Sequence, residues 1–451
     1  MQNPQQQHEK PDAAARSLLA GFMTQMAIWA LIIVIPVTAI GYAAFFQRAE
    51  NETLATLEAH LLERGRTESA IFDLAQSNME QFRKRFLQLY TDPAVLPDPD
   101  FDRWFVKGED GAIRMRREYF TGVIGPDGLW RASLTGFMGR NHADLTPELK
   151  RRMVLTAQLL AEFGPAWQGN FVNTHASFPE NVLLNYWPGT AWGLQARADL
   201  NMVGASVIQS TLMVENPDRR PIWTPLYHDH TANGWMVTYQ LPIDHDGRHL
   251  INASHDVLLN ELMDRLITDH LAGSTNFILS RDGHLIAHPQ RMNELNRELG
   301  TINLSLLRDA NLSRIHGLLR ETLDANPLTS GEVRTLFDAG GDNYLAVTAL
   351  AGPGWWFIAQ YPRALVIGTA HQSASIIMLL GAAFLLAILI LATLLLRRLI
   401  VVPLGVLATT AEAEAAGIPD HGTLPLAADG EIGRLARSLE TMRQRRGDRP
   451  G

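Results

Sequence analysis

Ser375-Ile-Ile-Met-Leu-Leu-Gly-Ala-Ala-Phe-Leu-Leu-Ala-Ile-Leu-Ile-Leu-Ala-Thr-Leu-Leu-Leu396 contains no charged residue, and nor does any position between Arg363 and Arg397. A bilayer interior about 30 Å thick is crossed by roughly 20 apolar residues in a helix. A helix satisfies its own backbone hydrogen bonds, which lipid cannot do. The run ends at Arg397-Arg398, a cationic pair suited to the cytoplasmic face. A second charge-free run lies between Arg16 and Arg48, with its apolar heart from Met26 to Phe46. It is longer than the 7–15-residue core of a signal peptide, so it too reads as a span, with Pro36 inside it. Lys10 and Arg16 before the first span, and the arginines after the second, put both termini in the cytoplasm. The chain between the spans then lies outside.

The chain has 451 residues, room for two or three domains. Its formal charge of -8, and the absence of a Lys/Arg block interleaved with aromatics, argue against a nucleic-acid partner. It has no cysteine, which excludes disulfides, thiolate metal sites and cysteine nucleophiles.

From Arg48 to about Tyr90 apolar residues recur at helical spacing, with Gly65 as an expected interruption and Asp92-Pro93 as a stop. The texture then changes to short strands and turns. Arg117–Ser133 reads as strand, Pro-Asp-Gly turn, strand, and Thr146–Phe163 as a helix. Strands follow around Trp223–Asp229, Gly234–Ile243 and Leu250–Asp256, with turns at Asn233-Gly234 and Asp246-Gly247. A helix is expected from Val257 to His270. A smaller unit repeats the plan, with a hairpin over Asn276–Pro289 and another formed by Tyr344–Leu350 and Trp355–Tyr361. The fold class expected is α+β: a two-span membrane protein with a long N-terminal helix, two tandem antiparallel-sheet modules outside, and paired helices inside.

Four stretches resemble one family, the double Cache sensors, whose PAS-like modules form the extracytoplasmic input of many bacterial receptors. They are Trp223-Thr-Pro-Leu-Tyr-His-Asp229, Asn252-Ala-Ser-His-Asp256, Asp282-Gly-His-Leu-Ile-Ala-His-Pro289 and Gly352-Pro-Gly-Trp355. After the second span, Pro403, Leu404, Leu407 and Ala411, a connector over 417–425, then Glu431-Ile-Gly433, Leu435, Leu439 and Met442 resemble a HAMP relay. Gly430 stands where that family usually has Asp. The resemblance implies a cytoplasmic tail over 1–20, a span over 21–46, and a sensor over 47–363. Within the sensor, a membrane-distal module covers about 93–270 and a proximal one 271–363. A second span covers 373–397, a HAMP domain 398–445 and a tail 446–451. It implies a homodimer in the inner (plasma) membrane, in contact with lipid, with a small-molecule ligand in the periplasm or outside the cell. Because no kinase, cyclase or methyl-accepting segment is read after the relay, a cytoplasmic signalling partner or a further output domain is expected, and no enzyme activity within this chain. The competing reading is a membrane-anchored binding or hydrolytic domain whose inner helices only dimerise.

In family members that bind amino acids or amines, a Tyr-x-Asp pair and a later Asp hold the ligand's ammonium. This resemblance makes Tyr227, Asp229 and Asp256 candidate ligand-binding residues, with Trp223 and Arg220 beside them. The Arg-x-Trp-Tyr of amino-acid readers is missing from Ala205–Val214, which favours amines; Arg219 or Arg220 could grip a carboxylate instead. Read without the family, Asp229 is equally a turn residue, and Asp256 an N-cap for the helix after it. His228-Asp-His230 and His245-Asp-Gly-Arg-His249 have metal-ligand residue types, but they sit beside turns, and no metal is expected. His284 and His288 read as local hydrogen-bonding groups. No Gly-x-Ser-x-Gly elbow and no Gly-rich phosphate loop appears, and no cofactor is expected.

Overall fold

The computed structural model describes residues 11–92, 101–141, 144–229, 231–291, 302–416, 423–427 and 430–447. They form two compact units: Leu54–Leu365, and the chain up to Thr53 together with that from Val366.

Leu54–Leu365 is built on two antiparallel sheets. The first takes its strands from β1 (Phe105–Lys107), β2 (Ile113–Met115), β5 (Leu134–Met138), β6 (Asn173–Phe178), β7 (Val182–Tyr186), β8 (Ile222–Trp223), β9 (Tyr227–Asp229), β10 (Gly234–His245) and β11 (Arg248–Leu258). Their order is β1-β2-β5-β7-β6-β11-β10-β8, with β9 also on β10. Between β2 and β5, a ribbon pairs β3 (Val123–Ile124) with β4 (Trp130–Arg131). The second sheet orders β12 (Thr275–Leu279), β13 (His284–Ala287), β14 (Ile302–Asn303), β15 (Val333–Asp338), β16 (Asn343–Ala349) and β17 (Trp356–Pro362) as β14-β13-β12-β17-β16-β15. The runs β7-β6-β11-β10-β8 and β13-β12-β17-β16-β15 share one plan: second, first, fifth, fourth, third.

One face of the first sheet is apolar because its strands alternate. Val237, Tyr239, Leu241 and Ile243 of β10 join Ala253 and Val257 of β11, and Ala176 and Phe178 of β6. They pack on the helix Pro147–Trp167 and on Phe72, Ala75, Met79, Phe82 and Phe86 of the long helix α1 (Pro11–Thr91). The helix Pro147–Trp167 starts at Thr146, whose side chain accepts from Leu149 N, with Pro147 in its first turn.

Three local expectations change. Gly65 does not interrupt α1; a Cβ there would stand 2.7 Å from Thr348 Cγ2, so glycine lets β16 approach the helix. Glu118–Thr121 is a helical turn rather than strand, because Tyr119 stacks on Trp104 at 4.2 Å. The helix expected from Val257 begins at Asn260, since Val257 and Leu258 still pair with Val237 and Met236.

In the other unit, two helices among the described residues are long and apolar enough to cross a membrane. They run antiparallel: a Cβ on Gly41 would touch Ile377, and one on Gly381 would stand 2.5 Å from Thr38 Oγ1. Tyr42 OH is hydrogen-bonded to His371 Nδ1. Outward-facing Ile33 and Leu379 are 62% and 72% exposed, as suits side chains solvated by lipid. After a π-helical turn over Arg397–Val401, the helix Val402–Ala415 packs on Gly430–Gly447. Leu407 and Ala436 are buried there, while Leu404, Leu435 and Met442 are exposed. Residues 417–422 of the expected connector lie outside the described residues.

Candidate ligand site on the polar face of the first sheet

The face of the first sheet turned away from α1 is polar and still buried. Register puts Thr238 opposite Asp256, and Asp256 opposite Asn173; two residues along, Gln240 stands opposite Ser254, and Ser254 opposite His175. Asn252, Ser177, Asn185 and Thr135 continue the same face. Thr238, Gln240, Asn252 and Ser254 are each 0% exposed. The segment 187–226 covers them and is tied down by polar bonds. Gly193 N donates to Thr135 Oγ1 at 3.1 Å, Ser210 Oγ to Gln240 Oε1 at 3.3 Å, and Met202 N to Asn181 Oδ1 at 2.8 Å.

Tyr227 and Asp229 pair with Met236 and Gly234, which places both on this face with Thr238. The Tyr227 hydroxyl bonds Thr238 Oγ1 at 2.8 Å, and Thr238 Oγ1 donates to Asp256 Oδ1 at 2.6 Å. Asn173 Nδ2 donates to the other oxygen at 2.6 Å. Burial, reinforced by the Asp256 carboxylate, pushes the Tyr227 phenol far above its ordinary value, so it remains an O–H donor. His175 Nδ1 bonds Asn173 Oδ1 at 2.9 Å and stands 3.9 Å from Asp256 Oδ2. Burial lowers the His175 pKa, against the opposing pull of Asp256 and Asp229, which favours the neutral ring. Asp256 is 7% exposed, and among the described residues no Lys or Arg pairs with it. Its charge is held by neutral donors.

Two amide atoms on the same face, Gln240 Nε2 and Asn252 Oδ1, are buried and have no hydrogen-bond partner among the described residues. A buried polar atom without a partner is costly.

Tyr227, Asp229 and Asp256 thus come together, and Trp223 and Arg220 do not join them. Trp223 stands opposite Tyr239 on the other face, against Phe72 and Tyr239 at 5.2 and 5.0 Å. Arg220 is exposed and pairs with Asp218 at 3.2 Å. The Arg219 guanidinium donates to Asp244 Oδ1 from Nη2 and to Thr211 O from Nη1. Asp256 is no helix cap, because it is a mid-strand residue and Leu259 occupies the N-cap position. Asp229 does serve its turn: its Oδ1 accepts from Thr231 N and Ala232 N, both at 2.7 Å. His228 faces away, with its ring 5.0 Å from Trp235, and His230 lies outside the described residues. Sequence reading missed His175, Asn173, Gln240 and Asn252. Their signal was alternation: Asn173-x-His175-x-Ser177, Thr238-x-Gln240 and Asn252-x-Ser254-x-Asp256 place polar groups at period two.

No family model matches this chain, and no curated protein matches it. Among similar solved structures is the ligand-binding domain of the Pseudomonas aeruginosa amino-acid chemoreceptor PctB with L-Arg. It is 14% identical with a TM-score of 0.32, over 47% of this chain and 78% of that one. The corresponding domain of PctC from the same organism, with GABA, is 17% identical with a TM-score of 0.30, over 48% and 83%. That of the Pseudomonas fluorescens chemoreceptor CtaA with L-isoleucine is 12% identical with a TM-score of 0.30, over 48% and 78%.

Proposed function

We propose that this chain is a two-span membrane receptor which binds a small amine on the polar face of its first sheet. The observation that carries the reading is Asp256, a buried carboxylate with no Lys or Arg against it among the described residues. An isolated buried charge is expensive, and a ligand ammonium would offset that cost with charge-assisted hydrogen bonds. Tyr227, Asp229 and His175 would line the ammonium end. The orphaned Gln240 Nε2 and Asn252 Oδ1 would bond the polar part of the ligand. Arg219 and Arg220 are both engaged elsewhere, and no other Lys or Arg among the described residues pairs with the site's carboxylate, which favours amines over amino acids.

On this reading, Leu54–Leu365 is the sensor outside the cytoplasm, made of two Cache-like modules. The helices Val402–Ala415 and Gly430–Gly447 are a HAMP-like relay to a cytoplasmic output, in a homodimer. The chain is then sensory rather than catalytic. Calorimetry of the full chain in lipid nanodiscs against primary amines, amino acids and small carboxylates tests the ligand class. Saturable amine binding lost in Asp256→Asn supports it. Tight carboxylate binding that ignores Asp256 and depends on Arg219 would overturn it.

A further inference from the structure

Where the two sheets of Leu54–Leu365 meet, a cleft of about 260 Å³ opens between the segment 223–226 and the hairpin 280–286. Its walls include the indoles of Trp223 and Trp355. Phe72 of α1 lies edge-on to both, at 5.2 and 6.1 Å. The turn Gly352-Pro353-Gly354 closes one side, and it needs its first glycine. Gly352 has φ +78°, and a Cβ there would stand 2.6 Å from Phe72 and 3.0 Å from Trp223.

Arg281 stands at the rim. Its Nε donates to Gly354 O at 3.2 Å, and its own carbonyl accepts from His316 Nε2 at 3.1 Å, so its backbone and the stem of its side chain are both held. Among the described residues, Nη1 and Nη2 have no partner and no carboxylate pairs with the guanidinium. Asp282 also lines the cleft, with its carboxylate bonded to the His284 ring at 2.9 Å rather than to Arg281. The cleft therefore offers two guanidinium N–H groups of Arg281 beside two aromatic walls. A guanidinium fork matches a carboxylate, and indole faces suit a flat ring. The volume falls just under the roughly 300–1,000 Å³ of small-molecule sites, which suits a single ring with a short acid arm.

We propose that this cleft is a second ligand site, which takes a small aromatic carboxylate independently of the amine site. The probes are phenylacetate and, as the matched cation, benzylamine, titrated into the full chain in lipid nanodiscs with empty nanodiscs subtracted. Phenylacetate is expected to bind saturably at millimolar concentration or below. Arg281→Gln should weaken it by about tenfold or more, and Arg281→Lys should restore part of the loss. Both variants should unfold at the wild-type temperature, because Arg281 is exposed. Asp256→Asn should leave phenylacetate binding intact. If wild-type protein shows no saturable binding, or Arg281→Gln binds as wild type does, the site is refuted. If Asp256→Asn abolishes phenylacetate binding and Arg281→Gln spares it, the acid occupies the sheet face and the site is again refuted. Arg281-dependent phenylacetate binding that benzylamine does not compete for would sustain this inference whatever the outcome at the sheet face.

Discussion

Exchanging the Asp256 carboxylate for its isosteric amide separates binding from folding. Truncating one partner of a buried charge pair costs about 2–5 kcal/mol of affinity, so Asp256→Asn should all but abolish amine binding in calorimetry. The ligand-free protein should melt close to wild type, because the hydrogen bonds from Thr238 and Asn173 weaken while the cost of burying a charge is removed. Asp229→Ala should behave differently, losing about 1 kcal/mol of stability because its oxygen holds two turn amides. His255 gives a pH dependence. It is fully buried, stacked on Phe171 at 3.9 Å and bonded to Asn78, and burial lowers its pKa to about 3. An unfolded histidine titrates near 6.5, so between these values the unfolded chain binds the extra proton and stability falls as pH falls. Urea unfolding should show about 2 kcal/mol lost from this residue by pH 5, a slope that His255→Phe removes. Tyr227, Asp229 and Asp256 were singled out through the family resemblance, and strand alternation accounts for Tyr227 and Asp229 sharing a face. The bond from Asn173 to Asp256 was not legible, because it joins positions 83 residues apart.

Among the elements, α1 shows how a glycine can be misread. Its helix-weakening propensity suggested a break at Gly65, but tertiary packing overrode propensity: the residue makes room for Thr348. Gly65→Val should keep the helix yet destabilise the protein by about 1–3 kcal/mol through overpacking, measured by chemical denaturation. The β10–β11 turn was readable in full, because Asp246 and Gly247 adopt φ +50° and +73°, which Asp-Gly supplies at low cost. Helix starts were harder. Asn260 was hidden behind Val257 and Leu258, whose apolar side chains fit a strand and a helix alike.

At the scale of the whole molecule, the apolar runs and the sequence of sheets were legible, because hydropathy and turn chemistry are local. The cover over the polar sheet face was not, since 187–226 carries little periodic signal and is fixed by scattered side-chain bonds such as Asn181 to Met202 N. The arginines flanking the two apolar runs make a topology prediction, with both ends of the chain in the cytoplasm. A reporter fused after Arg446 should read as cytoplasmic and one inserted at Gly234 as exported; an exported C-terminal reporter would remove the receptor reading. The cysteine-free chain also allows single-cysteine crosslinking at Leu404, Leu407, Leu435 and Leu439. Helical periodicity in the yield is the outcome expected of a dimeric relay.

The shared strand order has a consequence for biogenesis. In each of the two five-strand runs the first strand pairs with the last, β6 with β11 and β12 with β17, so neither run can close until most of its length has been synthesised. Until then β6 and β12 carry open edges, and such long-range closure is slow and exposed to misassembly. An amine held by His175 and Asp256 together would recognise the sheet only after β6 and β11 have paired. It would therefore act during maturation as well as in signalling, raising the yield of folded chain in cells that supply it.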